Sequence, residues 1–160
     1  MKWSLLIVLQ LIALASAMAE VKSAKEAIES LEKSGDLPKL NRDDSLQGPD
    51  LNHNDVRDDI EDIINKLPDT LTQKKALMRL SASITKAMIT TDKSAADSIS
   101  HASMCIAAAY PEAEVVKSKK RSDMVRAYTL NTTNRIKAYD KFSTAMNGMS
   151  FKLPIGKSCE

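Results

Sequence analysis

The chain has 160 residues, of which 28% are charged and 43% hydrophobic, with a formal net charge of +2. That balance is ordinary globular composition rather than that of a disordered chain, and the length suits a domain that buries its own core without a dense disulfide framework. Aromatic residues make up only 4%, beside 4 Gly and 5 Pro, and the abundance of Ala, Lys, Ser and Leu favours helix over sheet.

The first element is an export signal. Lys2 precedes the apolar run Leu5–Leu14, and Ala15, Ser16, Ala17 and Ala19 follow as small residues. One charge, about ten apolar residues and a small-residue exit form the order of a secretory signal. A membrane-spanning helix needs roughly twenty apolar residues, so no membrane span is expected. Residues 1–19 are therefore read as a signal peptide and residues 20–160 as a single helical domain. Cleavage after Ala17 and after Ala19 both fit.

Val21, Ala24, Ile28 and Leu31 predict a first helix ending near Lys33, with Gly35 as its C-cap. Residues 36–53 read as one long loop, rich in Asp and Asn and holding Pro38, Gly48 and Pro49. A loop of this length is expected to be functional or mobile. Val56, Ile60, Ile63, Ile64 and Leu67 predict a second helix from about Asp55, with Asn54 as N-cap and Pro68 as its stop. Thr70 and Gln73 have the spacing of a capping box that opens a third helix, with the stripe Leu77, Leu80, Ile84, Ala87 and Met88.

Thr90–Asp92 reads as a break, with Asp92 starting the next helix. The fourth segment, Ser94–Tyr110, is rich in Ala and Ser, and its small side chains suit the centre of a bundle. Pro111 ends it. Lys117–Asp123 carries no apolar residue and reads as exposed or broken. Val125, Tyr128, Ile136, Tyr139, Phe142 and Met146 form a last stripe up to Asn147–Gly148. Phe151, Leu153 and Ile155 alternate, as in an extended tail. The fold class is all-α: a small bundle of four to six helices with an extended C-terminal tail tied back by one disulfide.

That disulfide joins Cys105 to Cys159, since two cysteines in an exported chain pair by default. Asn131-Thr132-Thr133 is a glycosylation sequon, with Asn131 as acceptor inside the last stripe. Residues 20–69 carry 7 basic and 14 acidic side chains, whereas residues 70–160 carry 15 basic and 7 acidic. The two parts either pair with one another or leave a cationic face for an anionic partner.

Asp50, Asn52, Asn54, Asp58 and Glu61 fall at positions 1, 3, 5, 9 and 12 of a calcium-loop spacing. Asp55 stands where the sharp turn needs Gly, and Arg57 where an apolar residue belongs, so the pattern also reads as an Asx-rich loop before an acidic helix start. His53 and His101 lack partners at tetrahedral metal-site spacing. His101 precedes Cys105 by one helical turn, but a disulfide removes Cys105 as ligand or nucleophile. No nucleophile elbow or phosphate loop occurs, so neither catalytic residues nor cofactors are assigned.

Lys117–Arg121 is the densest basic run, a solvated face or a contact for an anionic surface. It has no interleaved aromatics to stack bases, which argues against nucleic acid. Met78, Met88, Met104, Met124, Met146 and Met149 lie on or beside apolar stripes and either fill the core or line a cavity for a small hydrophobe. The expected function is that of a secreted, non-enzymatic binding or effector protein. It would meet an extracellular protein or anionic surface through the 36–53 loop and the 117–121 run. A carrier of lipid or fatty acid is the alternative.

Overall fold

The computed structural model describes residues 26–150 and Cys159. The signal segment, the start of the first helix and the alternating tail 151–158 lie outside the described residues. The chain divides into two compact units, residues 1–39 and 40–160. In the first, residues 26–34 are helical. Gly35 takes φ +83° and Leu37 N–H donates to Leu31 O, which is the C-cap read from the sequence.

The described residues of the second unit form five α-helices: α1 Asp58–Lys66, α2 Leu71–Thr90, α3 Lys93–Ala109, α4 Val115–Thr129 and α5 Thr133–Met146, with a 3₁₀ turn at Glu112–Glu114. No strand occurs among the described residues. The disulfide joins Cys105 in α3 to Cys159, with Cα atoms 5.4 Å apart.

The centre is α2, which packs against α1, α3, α4 and α5. Expecting the Ala- and Ser-rich α3 in that place was wrong. Helix α2 is longer and buries more than one face: Leu77, Leu80, Ile84 and Met88, but also Ser81, Ser83 and Thr85. Its buried hydroxyls bond locally or to a neighbour, as Ser83 Oγ does to Arg79 O, and Ser81 Oγ with Thr129 Oγ1. The main core joins Val56, Ile60, Ile64, Leu77, Leu80, Ile84, Ala102, Cys105, Ile106 and Val125. A smaller cluster sets Phe142 against Ala87, Ala95 and Ala96.

The helix starts follow short-range chemistry. At α2 both halves of the capping box form: Gln73 N–H donates to Thr70 Oγ1, and Thr70 N–H to Gln73 Oε1. Thr91 sits in the left-handed region at φ 42°, and Asp92 then caps α3 by accepting from Ala95 N–H. Three expectations change. Helix α1 begins at Asp58, because Asn54 Oδ1 is committed to Val56 N–H and His53 and Asp55 hold positive φ. The start of α1 is closed instead by Pro49 O, which accepts from Asp58 N–H. The reading of residues 117–123 as exposed or broken loses its second half: they are helical within α4, with Lys119, Lys120 and Asp123 exposed. The last stripe is two helices, since Thr132 caps α5 by accepting from Arg135 N–H.

The irregular stretch 40–57 is fastened rather than loose. Arg135 is fully buried and donates to Ser45 O, Asn41 O, Asn41 Oδ1, Asp43 Oδ1 and Asn131 Oδ1. Arg57, also buried, pairs with Asp59 and donates to Tyr128 O and Asn131 Oδ1. Burial and the neighbouring Arg57 charge push the Arg135 pKa down, while Asp43 and Asp59 oppose that shift. Gly48 makes this packing possible. It has φ +75°, and a Cβ there would lie 2.4 Å from Arg57 Cδ.

Candidate functional site

Between α2, α3 and the 47–55 segment lies a half-open groove of about 340 Å³. One stripe of α2 forms its floor, with Arg79, Ala82, Ser83, Lys86 and Ile89. Ser98 and His101 come from α3, and Gln47 and Asp55 from the loop. A second hollow continues along α2 past Arg79 and Ala82 to Met78 and Lys75, where Cys159, Asn54 and Val56 close it.

The polar groups are placed by the helices themselves. Lys86 Nζ donates to Ser98 Oγ at 3.3 Å across the α2–α3 contact, and Ser83 Oγ bonds Ser98 O at 3.2 Å. Arg79 Nη2 donates to Cys159 O at 3.4 Å, so the disulfide-held residue also positions this guanidinium. His101 Nε2 is buried and has no hydrogen-bond partner among the described residues. Cations at 75, 79 and 86 share one face of α2, and among the described residues Asp55 is the carboxylate that lines the groove.

A side-chain atom from each of His101, Cys105 and Cys159 lies within 4.8 Å of the others, the one such group of three metal-type donors among the described residues. Both sulfurs are spent in the disulfide, which leaves the imidazole as the only donor.

The 50–61 pattern has a structural account. Asp50 accepts from Asn54 N–H and Asp55 N–H, and Asn52 Oδ1 accepts from Asn54 N–H. Asn52 and Asn54 then turn their Nδ2 groups to Glu61 Oε2 at 2.9 and 3.0 Å. Asp55 supplies the positive φ of 64° in the place of Gly. His53 is exposed at φ 57°.

The basic run is largely committed to internal pairs. Asp69, whose side chain is fully buried, holds Lys117 at 2.7 Å and Arg121 at 2.8 Å, close ion pairs whose angles are poor for hydrogen bonding. Asp69 raises the Lys117 pKa, and Lys119 pairs with Asp123 one turn on. Tyr110 lies in the same cluster, with Lys117 over its ring and its hydroxyl buried without a partner.

Burial, with the Asp69 carboxylate beside it, pushes the Tyr110 pKa from 10.0 up to about 12. The folded state therefore holds this proton more tightly. That contribution is complete below pH 10 and is lost as pH rises from 10 to 12. Tyr110→Phe will remove this part of the alkaline loss. At pH 7 it will leave stability unchanged or raise it by about 1 kcal/mol, since an unpartnered hydroxyl leaves the core. Urea unfolding at neutral and alkaline pH reads both effects, and a neutral-pH loss would show that the hydroxyl has a partner.

Asn131 lies between α4 and α5, half-buried, with Nδ2 donating to Asn41 O and Oδ1 accepting from both arginines. A glycan would replace the amide hydrogen that Asn41 does not hold. Sequence reasoning missed Arg79, Lys86 and Ser98, because cations and small polar residues on a helix read as a solvated face. The spacing of the cations Lys75, Arg79 and Lys86, all on one side of α2, was the available signal. No known protein family, curated protein or solved structure matches this chain.

Proposed function

We propose that the protein is a secreted, non-enzymatic binding protein that acts outside the cell through the groove along α2. The observation that carries this reading is the groove itself, whose walls bring Arg79, Lys86 and His101 together at the surface beside the 47–55 loop. The signal-like N-terminus and the Cys105–Cys159 disulfide support an oxidising, extracellular setting. Of the two candidate contact regions, the loop is favoured over the 117–121 run, since Asp69 and Asp123 already engage Lys117, Lys119 and Arg121. A lipid or fatty-acid carrier needs an apolar interior space. Here Ile64, Leu77, Ile84 and Val125 are fully buried, Met88 is nearly so, and the groove walls carry charge.

Expression of the full chain in a secreting cell line will place it in the medium with Met18 or Glu20 as its first residue. Lysine cross-linking in the native extracellular fluid will then concentrate on Lys75 and Lys86. Cell-retained protein that keeps Met1 would overturn secretion, and cross-links confined to Lys137 and Lys141 would move the contact surface off the groove.

A further inference from the structure

Resting on that reading, we propose that the groove binds a small organic anion, its acidic group held by Lys86 and its compact apolar body lying on Ala82 and Ile89. The size fits. The groove measures about 340 Å³, and small-molecule sites run from about 300 to 1,000 Å³.

The chemistry is asymmetric. Lys86 spends one N–H on Ser98 Oγ, and an ammonium has three donors, so two remain for an incoming oxygen. Lys86 is half-buried between α2 and α3, which weakens solvent screening of its charge. Arg79 and Lys75 extend the positive field along the same face of α2. Asp55 stands on the loop wall and repels an acidic group from that side, which orients the acid toward the α2–α3 wall. Ile89 is 53% exposed at the mouth, and Ala82 lies on the floor, offering apolar surface between charged positions. His101, with its buried unpartnered Nε2, adds a polar group on the α3 side.

The test pairs two probes of similar shape, the anionic 8-anilinonaphthalene-1-sulfonate and the uncharged N-phenyl-1-naphthylamine, titrated fluorimetrically into the oxidised chain. The sulfonate will bind at one site and the neutral amine far more weakly. Lys86→Gln will weaken the sulfonate by about tenfold or more, the worth of a charge-assisted contact. Asp55→Asn will tighten it at unchanged melting temperature, which separates the effect from the added dye binding of a loosened fold. Lys137→Gln on α5 will leave it unchanged.

Equal binding of both probes would overturn the proposal. So would a Lys86→Gln affinity within about twofold of the parent at unchanged melting temperature. If the sulfonate does not bind while cross-links still map to Lys75 and Lys86, the small anion falls and the contact surface stands. If both fail, the groove reading falls with it.

Discussion

Alanine at Asn131 will destabilise the protein by about 3 kcal/mol, whereas alanine at Thr133, which abolishes the same sequon, will cost less than about 0.5 kcal/mol. The difference follows from where each side chain points its polar atoms. Asn131 Oδ1 accepts from Arg135 Nη1 at 2.7 Å and from Arg57 Nη1 at 3.3 Å, and its Nδ2 donates to Asn41 O at 2.9 Å. Both arginines are buried, so losing that oxygen leaves two guanidiniums short of an acceptor in a poorly solvated place.

Thr133 is exposed at the first position of α5, and the N-cap belongs to its neighbour Thr132. Urea unfolding gives the two free energies. Hydrogen exchange at 41–48 gives the location, because Arg135 binds Asn41, Asp43 and Ser45 directly. Equal losses for the two variants would mean that a glycan, or the sequon's backbone, matters rather than the arginine cluster. A normal loss at Asn131 with unchanged exchange at 41–48 would place the damage elsewhere.

This cluster also marks the limit of what the sequence discloses. The starts of α2 and α3 were readable because capping is a contact between residues three apart, as Thr70–Gln73 and Asp92–Ala95 are. The stripe of α2 was readable because apolar spacing follows the helical period. Arg57 and Arg135 were not readable. A lone arginine in a helical pattern belongs to the solvated face unless long-range acceptors surround it, and those acceptors lie about ninety positions away along the chain for Arg135.

The same reasoning explains the division between α4 and α5. Tyr128 and Ile136 belong to one apolar stripe, but the backbone leaves the helix at Leu130 and Thr132 caps a new one by accepting from Arg135 N–H. The groove was hidden for a related cause. Lys86, Ser98 and His101 become neighbours only when α2 and α3 pack, and neither helix announces its partner.

Removal of the disulfide by Cys159→Ala will cost about 4 kcal/mol, the entropy of closing a loop whose ends are 54 positions apart. Cys159→Ala is the informative variant. Cys105 is 1% exposed within the main core, so replacing it would add a packing loss to the loss of the cross-link. If the bond acts on the unfolded chain, the variant will unfold with a steeper denaturant dependence, because its unfolded state exposes more surface. Exchange in α3 under native conditions will then change little beyond the end that carries Cys105.

One native contact does depend on the bond. Arg79 donates to Cys159 O, so freeing the tail removes one of the contacts that place the guanidinium at the junction of the two hollows. The variant will therefore bind the anionic probe more weakly even under conditions where it is fully folded. A stability loss below about 1 kcal/mol would contradict the entropic account. An unchanged probe affinity would show that the Cys159 contact on Arg79 does not matter to the site.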